Sequence, residues 1–147
     1  MDRREFCSQA LQIVSIATVG SLVPGCGGGM GPSNAPALPV ISAGVVSGAA
    51  TITVDAASPL ASVGSAALVQ SASGNFLVAR TAQSTFTALS AVCTHEICTI
   101  TGYQAPTYVC PCHGSQFNTS GGVVQGPAGA PLRAFTARFS SNVLTIS

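Results

Sequence analysis

Charge is what this sequence has least of. Of 147 residues, five are arginine, four are acidic and none is lysine, so 6% are ionised, against about 25% in an ordinary domain. A nucleic-acid groove needs clustered cations along the phosphate backbone, and this chain has none to cluster. A chain kept open by charge needs high net charge and low hydrophobicity; here the formal net charge is +1 and 47% of residues are apolar. Tryptophan is absent. Past residue 38 no segment keeps a helical period over three turns, and no internal repeat exists. The longest uncharged apolar run, Ala10–Val23, has fourteen residues, or seventeen when extended back to Cys7, against about 20 for a bilayer core. What remains is rich in Gly, Ser, Ala, Thr and Val, the composition of a small, turn-rich β protein. Its surface is wet but weakly repulsive, which favours docking against a partner.

The first 37 residues read as an address and a tether. Arg3-Arg4 before Phe6, a short apolar run and then small residues have the order of an export signal over residues 1–25. The arginine pair resembles a twin-arginine signal, with Asp2 where Ser or Thr is usual. Val23-Pro24-Gly25-Cys26 resembles a lipobox, which makes Cys26 a candidate for lipidation. An uncleaved amino-terminal anchor and a released soluble form are the alternatives. Residues 26–37 are dense in Gly and Pro, the composition of a tether.

Residues 38–147 alternate short β-like runs with turns. The expected strands are Val40–Val46, Thr51–Val54, Ala66–Gln70, Phe76–Thr81, Thr85–Ala91, Thr107–Cys110, Val123–Gln125, Ala134–Phe139 and Val143–Ile146. Ser73-Gly74-Asn75 and Ser140-Ser141-Asn142 are expected hairpin turns. The class is all-β, an antiparallel sandwich or barrel. A core this small calls for a staple.

Two short segments hold four of the six cysteines and both histidines: Cys93-Thr94-His95-Glu96-Ile97-Cys98 and Cys110-Pro111-Cys112-His113-Gly114-Ser115-Gln116-Phe117. The order is Cys-x-His, fourteen residues, then Cys-x-x-His, with Cys98 and Cys112 left over. Thiolate with imidazole suits zinc or iron–sulfur chemistry. A structural zinc module is the alternative from another class. The leftover cysteine in each loop and the tight Cys-x-His spacing argue against it.

On these residues the chain resembles the Rieske [2Fe–2S] family over roughly Thr51 to Ile146. Gly126-Pro127-Ala128 and Pro131-Leu132 are similar to that family's proline loop beside the cluster. The resemblance implies three antiparallel sheets with a cluster-binding subdomain over about 88–132. It implies that Cys93 and Cys110 ligate one iron, His95 and His113 the other, and that Cys98 and Cys112 form a disulfide. Such a bond persists in an oxidising compartment and removes about 3 kcal/mol of unfolded-chain entropy.

The implied function follows from charge. Two sulfides and two thiolates cancel two ferric ions, and neutral imidazoles add nothing, so accepting an electron leaves one net negative charge. Rieske centres as a class accordingly span roughly −150 to +300 mV, against about −400 mV for plant-type ferredoxins. The free imidazole nitrogens of His95 and His113 couple reduction to protonation. Ser115 stands where high-potential members place a serine that hydrogen-bonds a cluster sulfide, but Phe117 brings no phenol where one often accompanies it. Glu96 puts a carboxylate after His95 where quinol-oxidising members are apolar. Both departures predict an intermediate potential. Gly114 and Gly126 are expected to let backbone pass close to the cluster. Tyr103 and Tyr108 are expected in the core or at its rim, and Arg80, Arg133 and Arg138 at solvated strand positions.

The expectation is an exported, tethered one-electron carrier, periplasmic or on the outer face of the cytoplasmic membrane. It would serve as the electron-transfer subunit of a membrane or periplasmic oxidoreductase, similar to the small subunit of arsenite oxidase. The alternative is the quinol-oxidising subunit of a bc-type quinol–cytochrome c reductase. Expected partners are cytochrome b or c, or the large subunit of a periplasmic oxidoreductase. The sequence reveals no catalytic triad, substrate pocket or general base.

Overall fold

Apolar runs punctuated by Gly, Ser and Asn build thirteen strands among the described residues, 35–147 of a computed structural model. The expected export signal, the lipidation candidate Cys26 and most of the expected tether lie outside those residues. The middle layer is a five-stranded sheet in the order β1 (Val40–Ser42), β4 (Ala66–Ser71), β5 (Gly74–Ala82), β6 (Thr85–Ser90), β11 (Ala134–Phe135). On one side lies β12 (Ala137–Ser140), β13 (Val143–Ile146), β3 (Ala49–Thr53), β2 (Gly44–Val46). On the other lies β10 (Val123–Gln125), β9 (Gln116–Asn118), β8 (Thr107–Val109), β7 (Gly102–Gln104).

Side-chain alternation explains the layering. Phe76 and Val78 of β5 face one core with Ile52, Leu144 and Ile146, while Leu77 and Ala79 face a second core with Ile100, Tyr108 and Phe117. A sheet covered on both faces needs unbroken apolar strands, which is why Phe76–Arg80 and Ala66–Val69 are buried at every position. Each fully buried Leu or Val adds about 1.5–3 kcal/mol. Two hairpins close on residue pairs with both φ values positive, Ser47-Gly48 (50° and 81°) and Ser141-Asn142 (51° and 62°), matching the twist of the flanking strands.

The expected strands are present, with two splits. Val40–Val46 divides at Ala43, whose N–H donates to Gln70 O, so β1 stays in the middle sheet and β2 joins the outer one. Ala134–Phe139 divides at Thr136, which exchanges backbone hydrogen bonds with Ser147. Pairing is antiparallel except between β1 and β4, which run parallel. β7 and β9 are additional to the expected strands: Gly-Tyr-Gln and Gln-Phe-Asn each carry a single apolar side chain, so neither shows an apolar run or alternation. Packing begins before Leu38: Leu38 N–H donates to Thr101 O, Tyr103 N–H donates to Pro36 O, and Ala37 bridges Gly102, so residues 35–38 lie along β7.

One assignment is reversed. Arg80 is a buried residue, 9% exposed, not a solvated one. Its guanidinium donates to the carbonyls of Leu60, Ala61 and Gln83 and lies over the rings of Phe86 and Phe139. Arg133 and Arg138 are exposed as expected.

Candidate metal centre

Both ligand segments rise from the four-stranded sheet that carries β7 to β10 and from the end of β6. The first is closed at its base: Val92 bridges Thr99, and Cys93 N–H donates to Cys98 O. The second turns at Gly114, whose φ of 77° and N–H to Cys110 O make a tight return; that φ favours glycine. Gly126 differs, since a Cβ there would meet nothing nearer than 3.9 Å. A disulfide between Cys98 and Cys112 ties the two segments together across fourteen residues of chain.

The four candidate ligands separate by depth. Cys93 and Cys110 are buried free thiols. Burial pushes Cys93 up, but hydrogen bonds from the His95 amide, the Cys110 thiol, the Glu96 amide and the Ser115 hydroxyl outweigh it and bring the thiol below its ordinary range. Burial pushes Cys110 up, its neighbour Cys93 adds to the rise, and the Cys112 and His113 amides offset part of it. The two neighbouring thiols are thus shifted in opposite directions. His95 and His113 are exposed, with ring centroids 4.9 Å apart at 82°. Glu96 Oε2 lies 3.2 Å from His113 Nδ1, with side-chain exposures of 60% and 47% respectively. Cys110 also stands within 4.8 Å of the Cys98 and Cys112 sulfurs. Those two are bonded to each other, so neither is a thiolate donor.

The loop 126–132 closes over this floor. Ser115 is fully buried; its Oγ accepts the Ala128 N–H at 3.0 Å, and its hydroxyl is among the groups that lower the Cys93 thiol. Thr94 Oγ1 donates to Ala130 O at 2.6 Å, fastening the first ligand segment to the same loop. Pro127, which follows a cis peptide bond, is exposed. Phe117 is wholly buried beneath the site and pairs in register with Tyr108. Sequence reasoning singled out Ser115, Gly114, Phe117, Glu96 and Pro127 but missed Thr94 and the Ala128 amide. Both act across loops 13 or more residues apart, a link that local spacing does not carry.

Comparison with known proteins agrees with this geometry. The Rieske [2Fe–2S] domain model matches residues 51–136. The cytochrome b6-f complex iron–sulfur subunit of Chlorobaculum thiosulfatiphilum is 40% identical over 62 residues, 42% of this chain and 34% of that one. The chloroplastic subunit of Pisum sativum is 55% identical over 42 residues, 28% of this chain and 18% of that one. The match thus spans about a third or less of these relatives' length. Among solved structures, the plasma membrane Rieske protein PetC3 of Synechocystis PCC 6803 is similar with a TM-score of 0.50 and 27% identity, covering 56% of this chain and 85% of that one. The ferredoxin of carbazole 1,9a-dioxygenase from Nocardioides aromaticivorans shares the fold, with a TM-score of 0.53 at 19% identity over 66% and 96% of the two chains. The donor set fits a [2Fe–2S] cluster of this type: two neighbouring thiols in a floor supplied with N–H and O–H donors, and two neighbouring imidazoles at the surface. A plain zinc module is set aside.

Proposed function

The chain belongs to the Rieske [2Fe–2S] family, and we propose that it is a one-electron carrier whose cluster is held by Cys93 and Cys110 on one iron and by His95 and His113 on the other. The observation that carries this reading is the pairing of two buried, hydrogen-bonded thiols with two exposed imidazoles 4.9 Å apart. When bound, the cluster supplies reversible one-electron chemistry at a moderate potential. The chain's own residues set the conditions. Amides of His95, Glu96, Cys112 and His113 and the Ser115 hydroxyl donate to sulfur and favour added negative charge there. Phe117, Tyr108, Leu132 and Ala128 keep water from the thiol side. The disulfide holds the two imidazoles side by side. The exposed rings are the place where an electron enters and leaves.

Anaerobic assembly, iron and acid-labile sulfide analysis, and EPR during redox titration test this. The expected result is a rhombic signal on one-electron reduction, lost or reshaped in His113→Ala. A colourless zinc protein, or an unchanged signal in that variant, overturns the assignment.

The carrier works as the electron-transfer subunit of a larger oxidoreductase, exported and held at the outer face of the membrane by lipid on Cys26 or by its amino-terminal segment. The disulfide supports an oxidising compartment, and the Arg3-Arg4 and Cys26 contexts support export and lipidation. Cell fractionation and a Cys26→Ser variant test the tether. A second reading, the quinol-oxidising subunit of a bc-type complex with a cytochrome b partner, is supported by relatives described as cytochrome b6-f iron–sulfur subunits. Glu96 and Phe117 favour a different oxidoreductase. Inhibitor-sensitive association with a cytochrome b subunit decides between the two.

A further inference from the structure

Ile97 is 98% exposed, more than any other large apolar residue among those described, and it stands two residues from His95. Scattered exposed apolar side chains are ordinary, but this one is held unusually firmly. Cys98 N–H donates to Glu96 O at 2.7 Å, which closes a three-residue turn with Ile97 at its apex. The next residue is fixed by the disulfide to Cys112, and the segment's base is fixed by Cys93 N–H to Cys98 O. Backbone on both sides of Ile97 is therefore constrained before any partner arrives, which removes ordering cost from association.

The surroundings are almost free of charge. Segments 93–98, 110–115 and 126–132 contain one ionised side chain, Glu96, and His113 engages it. A surface of this kind is complementary to an uncharged apolar one and gains little from steering by charge. A few well-packed, fully desolvated anchors carry most of the energy of a protein interface.

We propose that Ile97 is the docking peg of the imidazole end of the molecule, seated in an uncharged, apolar socket of the protein with which the carrier exchanges electrons. The inference rests on the one-electron reading above and adds the chemistry of the partner. Peg and exposed imidazoles share one short, disulfide-closed segment, so seating Ile97 brings the rings against the partner as well.

Voltammetry of the folded holoprotein on gold coated with methyl-, carboxylate- or ammonium-terminated alkanethiol monolayers tests it. The methyl surface is the probe for an apolar socket. Electron exchange is expected to be fastest there and insensitive to added salt. Ile97→Ser should slow it about tenfold, the factor given by about 1.4 kcal/mol of lost apolar contact, with the midpoint potential and EPR signal unchanged. Val46→Ser, an exposed valine in another sheet, should leave the rate as it was. Equal rates in Ile97→Ser and the parent protein overturn the peg. So does fastest exchange on either charged surface, because docking would then run through Glu96 or another charge. A protein with no reversible one-electron wave on any surface overturns the carrier reading itself, an outcome distinct from a wave indifferent to Ile97.

Discussion

Glu96 and His113 meet across the two ligand segments, Oε2 to Nδ1, at 3.2 Å. The carboxylate belongs to the first segment and the imidazole to the second, so the disulfide-tied tip carries its one negative charge directly against a candidate ligand. A negative charge there opposes the extra electron of the reduced state. Glu96→Gln keeps a hydrogen-bonding side chain and removes the charge. The midpoint potential should rise by about 30 mV, the size of a Coulomb interaction over a few ångströms under near-aqueous screening. Voltammetry reads this directly, and a potential that stays put or falls removes Glu96 from the tuning residues.

Ser115 is positioned by a residue thirteen places away. Its oxygen accepts the Ala128 amide proton, which leaves its own proton free for Cys93. Ser115→Ala deletes that donor and should lower the potential by about 60–130 mV, the equivalent of one hydrogen bond to a charged acceptor. The EPR signal should survive, since no proposed ligand is touched.

The Cys98–Cys112 bond is separable from the proposed ligands. Replacing both cysteines by serine should cost about 3 kcal/mol of stability, by the entropy of a loop of this length. Denaturant unfolding measures the loss, and faster release of iron on warming is the accompanying sign. An unchanged midpoint of unfolding would show that the other loop contacts already hold the tip.

Tyr108 is buried, and its hydroxyl has no hydrogen-bond partner among the described residues. Burial, and then the neighbouring Tyr103, push its ionisation far above the ordinary phenol value. Burial raises Tyr103 too. The unfolded chain releases these protons from about pH 10 upward, while the folded chain retains them. Stability therefore falls as pH rises through the unfolded value. Tyr108→Phe should remove most of this alkaline loss and, at neutral pH, stabilise the fold by about 1 kcal/mol by deleting an unpaired buried hydroxyl. Thermal unfolding at neutral pH and above pH 10 tests both parts.

Arg80 holds the segment around Leu60 and Ala61 to the β5–β6 turn through three carbonyls. Arg80→Met keeps the apolar stem but strands those acceptors, and should cost about 1–3 kcal/mol. A surface arginine would cost almost nothing, so denaturant unfolding distinguishes the two placements.

Much of this protein is written locally. The two ligand segments are short and self-contained, so their Cys and His types identify the chemistry at once. Strand positions follow from alternation within a few residues, and near-unbroken apolar runs such as Phe76–Arg80 mark a sheet covered on both faces. The turn chemistry of Ser141-Asn142 is equally local. Other features arise only when distant segments pack. The splits at Ala43 and Thr136 depend on which sheet each half finds as a neighbour. Arg80 is buried because a loop twenty residues earlier supplies carbonyls to it. The Glu96–His113 contact, the Ser115–Ala128 hydrogen bond and the Thr94–Ala130 link join segments that are separate in sequence. Short-range sterics and side-chain period specify elements and ligand types. The identity of each polar group's partner is decided by the long-range arrangement that first brings the two together.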